Sequence, residues 1–510
     1  MRRHNAQQMR MARGSPSPSF ASASSRSSPS NSLDLSHPGV RFRVSPRLAN
    51  GVIPEVLRAR AGWFEVDDVE FFTDPRDSWD VHFADVGWCR ERFKAGVEGV
   101  AREPLLPYQR VNHFPNHAEL TRKDLLAKNL KAHRRRLEKA GDVAEAATYD
   151  FVPETHALPN DYELFAEAFR RDAATSPTSP LYIAKPAGKA QGRGIFLFRG
   201  LARLAPWRDA NAARRRSGAR RGDSRGDDSS RSRSPSDASP VEPYVVQKYV
   251  ERPLLIGGKK FDLRLYALVT SADPTRVYLH RAGFARFAAR GYREIGSAGD
   301  DGERGAACAP MANLHAHLTN VALGKTAEGF NATNAQKFDL KALRLHLNGK
   351  FGSSAVDEMF ERARSVVVRS VLACAPKFPK TSFAAGGHHE NCFETYGFDV
   401  LIDETLKPWL IEVNASPSFA ADTPFDRALK RKVVSDALDV LDLESVVMEQ
   451  CGGEKKTLRS GETRARTVGG FDLVWDDGPV GDAGRACRLG RFVEGLHDGA
   501  AARDDAALRE

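Results

Sequence analysis

A chain of 510 residues has room for about three domains and a buried core, and a 41% hydrophobic content with 28 Phe places most of it among globular proteins. The formal charge is +10, but residues 1–50 carry +7 and residues 208–240 carry +4, so the remainder is near neutral and no nucleic-acid partner is expected. No apolar run approaches the length of a membrane span, so a soluble chain without a membrane partner is expected. Six scattered cysteines with no C-x-x-C pair fit reduced thiols in the cytosol and offer no zinc site.

Residues 1–38, rich in Ser, Arg and Pro, have no acidic residue before Asp34. They share this bias with transit peptides, but no amphipathic period is visible, so a disordered tail is expected. Residues 39–155 read as an N-terminal α/β domain, with a helix–strand junction at Ala61 to Val66 and a strand at Trp79 to Ala84. Thr121-Arg122-Lys123-Asp124 has the form of a capping box opening a helix from Leu125 to Lys139. That helix carries Lys128, Lys131, Arg134, Arg135, Arg136 and Lys139, a positive patch suited either to plain solvation or to docking an acidic partner.

Residues 156–255 read as a central domain. A helix from Asp161 to Asp172 places Leu164, Phe165, Ala168 and Phe169 on one face; strands Leu181 to Lys185 and Ile195 to Phe198 flank a glycine-rich loop. Residues 208–240 are low-complexity Arg/Ser/Asp sequence, expected to be a disordered insertion, and a strand resumes at Tyr244 to Val250. Residues 256–445 read as a C-terminal domain, with strands Phe261 to Thr270 and Val277 to His280, a loose loop over 295–310, and helices Asp339 to Leu347, Ala355 to Cys374 and Asp426 to Leu441. Residues 446–510 are expected to be an irregular tail. The fold class is α/β (α+β).

Several segments carry candidate chemistry. Lys185 to Gly194 joins two apolar strands through Gly188, Gly192 and Gly194; it is neither a Walker loop nor G-x-G-x-x-G, and reads as a flap over phosphates or as an ordinary hairpin. Tyr244 to Val250 offers backbone groups to an adenine edge, or is simply a half-exposed strand. Lys260, Asp262 and Arg264 share one strand face, and if buried they need mutual pairing or an anionic ligand. His317-Leu318-Thr319-Asn320 supplies small polar groups, and Arg286 and Lys337 are cations able to hold a carboxylate. Finally, Phe398 to Ile402 and Trp409 to Asn414 read as a hairpin that brings Asp399 onto the face of Glu412 and Asn414. Three hard oxygen donors there suit Mg²⁺, or form a solvated polar edge.

The order of these parts resembles the ATP-grasp carboxylate–amine ligases, and in detail the polyglutamylase branch of the tubulin tyrosine ligase-like family. The resemblance rests on Val111-Asn112-His113-Phe114-Pro115-Asn116-His117, Glu119-Leu120-Thr121-Arg122-Lys123-Asp124, Lys185-Pro186…Gly192-Arg193-Gly194-Ile195 and Pro253-Leu254-Leu255-Ile256-Gly257-Gly258. It continues with Lys260-Phe261-Asp262-Leu263-Arg264, His317-Leu318-Thr319-Asn320 and Lys407 through Ser418, and it covers roughly residues 60–445 apart from the insertion.

The resemblance implies an ATP-grasp fold split between the central and C-terminal domains. It implies that Lys185, Gln191 and Gly192 hold ATP phosphates; that Gln247, Lys248, Tyr249 and Val250 hold adenine; and that Lys260, Phe261, Asp262, Thr319 and Asn320 complete the nucleotide site. It further implies Mg²⁺ on Asp399, Glu412 and Asn414, a charge-stabilising role for Arg264, and Arg286 with Lys337 on the carboxylates of free L-glutamate. At position 191 a Gln rather than an Arg leans towards chain elongation. The implied partners are tubulin and microtubules through their acidic tails, with room for accessory subunits. The implied address is the cytoplasm and cytoskeleton, in a cilium or flagellum axoneme or basal body. Glycine or tyrosine ligation on the same fold, or a non-catalytic microtubule-binding relative, are the competing readings.

Overall fold

The computed structural model describes residues 39–66, 79–93, 105–177, 179–189, 192–222, 241–295, 311–319, 337–378, 391–415, 417–421, 423–450, 466–480, 487–491, 493 and 496. The expectations for residues 1–38 and for the loop over 296–310 lie outside these, as do Gln191 and Asn320.

Short apolar strands open the chain. β1 (Val40–Val44), β2 (Trp63–Glu65), β3 (Val81–Phe83) and β4 (Arg110–Val111) form a parallel sheet in the order β2-β1-β3-β4. Between β1 and β2, α1 (Val52–Ala59) turns Val52, Ile53, Val56 and Leu57 inward and packs on the helix Pro424–Leu441. α2 (Val86–Phe93) follows β3.

Next, α3 (Ala118–Thr121) runs almost directly into α4 (Lys123–Lys139). The expected capping box does not form. Arg122 is the extended N-cap residue and makes no side-chain cap, while the Thr121 hydroxyl donates back to the His117 carbonyl (3.1 Å) and closes α3 instead. α5 (Val143–Ala147) starts on a true cap, Asp142, whose carboxylate accepts from the Glu145 amide (3.1 Å).

The central sheet is antiparallel, in the order β5-β8-β6-β7, built from β5 (Thr155–Leu158), β6 (Tyr182–Pro186), β7 (Phe196–Phe198) and β8 (Tyr244–Lys248). α6 (Tyr162–Thr175) covers it with Tyr162, Phe165, Ala166 and Phe169, a stripe of helical spacing. Leu164 falls off that stripe and is 62% exposed, against expectation. α7 (Ala205–Gly222) is also a correction: Ala and Arg favour helix, so the first part of the low-complexity stretch is helical backbone rather than disordered.

The largest sheet is organised by one long strand. It contains β9 (Leu255–Ile256), β10 (Lys259–Ala272), β11 (Thr275–His280), β12 (Phe284–Phe287), β13 (Lys337–Asp339), β14 (Glu394–Ile402), β15 (Pro408–Ala415), β16 (Thr467–Val468) and β17 (Phe471–Asp476). β10 pairs with β12 and β11 along one edge and with β14 along the other. Side chains alternate across a strand, so Leu263, Leu265, Ala267 and Val269 enter a core shared with the helices Leu340–Phe351 and Ser353–Cys374. On the opposite face Tyr266 and Leu268 join a second core with α1 and the helix Pro424–Leu441, and Lys260, Asp262 and Arg264 continue that face.

Within the stretch 446–510, expected to be irregular, the described residues Thr467–Val468 and Phe471–Asp476 are strands of this sheet. β17 pairs antiparallel with β11; Phe471 and Leu473 enter one core, and Val474, Cys487 and Leu489 the other. A buried polar clasp fixes the turn between β16 and β17. Asp436 accepts from the Gly470 amide (2.7 Å), from Lys432 Nζ (2.6 Å) and lies 3.1 Å from His280 Nε2. Gly469 has φ +54°, and a Cβ there would sit 2.4 Å from the Asp436 carboxylate. Two short strands separated by Gly-Gly leave too little hydrophobic period to be seen in sequence.

Because Asp436 is fully buried, Asp436→Ala strands its partners and should lower the unfolding free energy by about 3–5 kcal/mol. Lys432→Ala, at a partly exposed partner, should cost about 1 kcal/mol or less in the same denaturant titration.

Candidate active site

A cleft with about 660 Å³ of open space lies between the central sheet and the largest sheet. Its walls include Ile183, Ile195, Leu318, Leu401 and Ile411, apolar surfaces fit to sandwich a planar ring. Its polar lining includes Lys185, Gln247, Lys260, Asp262, Arg286, Thr319, Asp399 and Glu412. Residues separated by more than two hundred positions therefore meet in one cavity.

Strand register explains the meeting. On β10, Asp262 stands opposite Arg286 of β12, and Arg264 stands opposite Asp399 of β14. Asp399 in turn stands opposite Glu412, and Gly397 opposite Asn414, so the hairpin forms as expected. Four buried charges then interlock. Arg286 forms a fork on Asp262 (2.8 Å for both contacts) and reaches Asp399 Oδ2 (2.7 Å); Arg264 grips Asp399 through Nε (2.6 Å) and Nη2 (3.2 Å). Thr319 adds a hydroxyl to Asp262 (2.5 Å). Burial by itself would raise the Asp399 carboxyl, but the two guanidinium groups outweigh it and hold the group well below the usual carboxylate range.

The two cleft lysines are bound differently. Lys185 Nζ donates to the Gln247 amide oxygen (2.8 Å), and Lys260 Nζ donates to the Tyr249 hydroxyl (2.8 Å) while lying 4.4 Å from its ring centre. Tyr249 in turn contacts His317 Nδ1 (2.9 Å). Neutral partners do not offset burial, so Lys185 is pushed down to about 8 and Lys260, also repelled by Lys185, to about 7. Burial pushes His317 down to about 4, so it is neutral at physiological pH.

The donors at the hairpin fit a hard divalent cation. Asp399 and Glu412 stand directly opposite each other on the paired strands and both line the cleft, so two carboxylates are presented together to a cation. Lys123 Nζ lies 3.2 Å from Glu412 Oε2, and Asn414 Nδ2 lies 3.2 Å from Asp399 Oδ2. Half a turn of that amide presents its oxygen to the same cluster.

Other expected residues lie elsewhere or act differently. The Phe261 side chain points into the opposite core against Phe287, away from the cleft. The Lys248 side chain leaves the cleft to pair with Asp172 (2.8 Å). The Lys248 and Tyr249 amides are taken by the Glu154 and Leu181 carbonyls, and no described backbone carbonyl takes the Val250 amide. Gly192 (φ +74°) shapes the loop between β6 and β7, which the Tyr244 hydroxyl ties down at the Gly194 carbonyl (3.1 Å). Lys337 stands beside Arg286 on β13 but is paired with the buried Asp426 (3.1 Å).

A family model described as the tubulin-tyrosine ligase family matches residues 101–451. This chain belongs to the tubulin-tyrosine ligase family. It is 37% identical over 470 residues to a probable tubulin polyglutamylase, TTLL9, of Rattus norvegicus, covering 90% of this chain and 89% of that protein. It is 34% identical over 447 residues to a probable tubulin polyglutamylase of Caenorhabditis elegans, covering 87% of each. It is 33% identical over 428 residues to a probable alpha-tubulin polyglutamylase of Tetrahymena thermophila, covering 82% of this chain and 89% of that protein.

In this tubulin-tyrosine ligase family member, two motifs gain roles that sequence reasoning missed. Lys123, quoted there within an apparent cap and a family motif but given no role of its own, sits on Glu412 and also donates to the Lys189 carbonyl of the glycine-rich loop (3.2 Å). The Asn112-His113 pair stitches two sheets together. Asn112 bonds both backbone groups of Ala84 (2.7 and 3.2 Å), and His113 Nδ1 meets the buried Glu394 of β14 (2.7 Å). Glu394 also accepts from the Phe114 amide and the Tyr396 hydroxyl, so this His–Glu cluster is explained as a staple.

Lysine charge in the cleft titrates near neutrality, and a bound polyanion favours the ammonium form. Nucleoside triphosphate affinity should therefore fall as pH rises from 6.5 to 9 at constant ionic strength, with the inflections near the two lysine values, about 7 and about 8. Calorimetric titration without added metal reads this out; a flat profile would contradict it.

Proposed function

We propose that the chain is an ATP-dependent tubulin polyglutamylase, a ligase that joins free L-glutamate to glutamate side chains of tubulin C-terminal tails. The observation that carries this reading is the opposition, within one apolar-walled cleft, of two buried lysines held by neutral acceptors and a carboxylate pair backed by arginines. The names of the relatives support the choice of tubulin and of glutamate.

A carboxylate is a poor acyl donor. In the proposed reaction an oxygen of the acceptor γ-carboxylate takes the γ-phosphoryl group of ATP, breaking the bond to ADP and giving an acyl phosphate. The amine of free glutamate, having lost its proton, attacks the acyl carbon; a C–N bond forms and phosphate leaves. Lys185 and Lys260 would meet phosphate oxygens, and Arg264, fixed on Asp399, would hold positive charge beside the transferring group. Asp399, Glu412 and Asn414 would hold Mg²⁺, which when bound neutralises phosphate charge. No side-chain nucleophile is required.

Arg286 and Lys337 stand next to each other in register, a spacing suited to a dicarboxylic amino acid. Both already hold protein carboxylates, so glutamate would share or displace these contacts. Lys337→Ala should thus raise the KM for glutamate more than the KM for ATP.

The direct test follows incorporation of labelled glutamate into tubulin with ATP and Mg²⁺. Glu412→Gln should lower the rate by about 100-fold or more with little change in melting temperature. Incorporation of glycine or tyrosine in place of glutamate would overturn the amino-acid assignment, and a fully active Glu412→Gln would overturn the metal assignment.

A further inference from the structure

Behind the cleft, a chain of buried hydrogen bonds leads away from Lys185. Its Nζ donates to Gln247 Oε1 (2.8 Å), Gln247 Nε2 donates to Thr155 Oγ1 (2.9 Å), and Thr155 Oγ1 donates to the Pro153 carbonyl (2.7 Å). Lys185, Gln247 and Thr155 are each about 95% buried, so no solvent competes for these protons.

The direction of every link is forced. A carbonyl only accepts, so the single Thr155 proton is committed to Pro153 and a hydroxyl lone pair faces Gln247. That lone pair can only be met by the amide NH₂, which turns the amide oxygen towards Lys185. An ammonium has only donors, so this is the one amide orientation it can use. One Lys185 proton is thereby held and two remain for a ligand.

From this geometry we infer that Thr155 is a positioning residue that sets the phosphate-facing lysine, Lys185, by locking the side-chain amide of Gln247. The inference rests on reading the cleft as a triphosphate site. Cross-strand register puts Thr155 directly opposite Gln247, and the Lys131 ammonium bonds the Thr155 carbonyl from α4, so the backbone is held independently of the hydroxyl. The charged groups acting on Lys185 are Lys123 of α4, Glu412 and Asp399 of the hairpin, and Lys260 of β10. None of them touches the Gln247 amide by a described hydrogen bond, so Thr155 alone among the described side chains fills the NH₂ end. If the hydroxyl is lost, the amide can turn and set donor against donor at Lys185, a buried mismatch.

The experiment measures equilibrium binding of ATP and of adenosine to the full chain carrying Thr155→Val, Thr155→Ser, Lys185→Ala, or Thr155→Val with Lys185→Ala. Thr155→Val should bind ATP about threefold to tenfold more weakly, the size of one buried hydrogen bond, whereas Thr155→Ser should stay within about twofold of the parent. Adenosine affinity should change less than ATP affinity in either. In the Lys185→Ala background, Thr155→Val should have no further effect on ATP. ATP binding by Thr155→Val equal to the parent, or an equal loss with and without Lys185, would overturn the inference. If Lys185→Ala itself binds ATP like the parent, the triphosphate reading of the cleft fails instead. Should Thr155→Val not fold by its melting curve, Thr155→Ala serves the same comparison.

Discussion

The rest of this molecule depends on how four charges are buried together on one face of the largest sheet. Asp262, Arg286, Asp399 and Arg264 are each at most 9% exposed, and any one of them alone would be costly there. Cross-strand register makes them mutual partners, with two carboxylates against two guanidinium groups in alternating contact. The lattice is internally neutral, so the net charge of the cleft comes from the groups around it. Lys185 and Lys260 rest on an amide and a phenol, and Glu412 faces Asp399 with Lys123 beside it. Positive charge awaiting an anion and negative charge awaiting a cation thus line one cleft. That is the electrostatic shape of a metal–polyphosphate complex.

The surrounding fold holds this lattice in register. The alternate residues of β10 anchor two separate cores, so the strand cannot slip by one residue without exchanging leucines for charges. Asn112 and His113 bind the N-terminal sheet to β14, the strand that carries Asp399. At the far edge β17 extends the sheet beyond β11, and the Asp436 clasp closes its turn. The family match ends at residue 451, before this C-terminal hairpin begins.

Much of the site was readable from sequence where its signal was local. The D…E-x-N hairpin and the Lys260/Asp262/Arg264 face follow from a period of two, which one strand is enough to display. What required three dimensions was partner choice. Sequence left pairing and ligand binding open for the β10 charges; Asp262 and Arg264 are paired to Arg286 and Asp399, while Lys260 is not paired to a carboxylate by any described contact. Arg286 and Lys337 read as open cations, yet Asp262 and Asp426, distant in sequence, already hold them. Lys123 was hidden inside an apparent capping box because Thr-x-x-Asp is a frequent local pattern, and only the end of α3 shows that Thr121 is already used. Leu164 was misplaced by one helical position, and the C-terminal strands were too short to show a period. Gln191 and Asn320 lie outside the described residues, so their expected roles stay tied to the family resemblance.

Activation of an acceptor carboxylate by phosphoryl transfer in this cleft would leave its mark in oxygen. An acceptor peptide whose glutamate γ-carboxylates carry ¹⁸O at both oxygens is incubated with the protein, ATP, Mg²⁺ and glutamate, and the released phosphate is weighed by mass spectrometry. An acyl phosphate predicts one ¹⁸O in the phosphate for each new C–N bond. Phosphate released without label, while glutamate is still incorporated, would contradict the account.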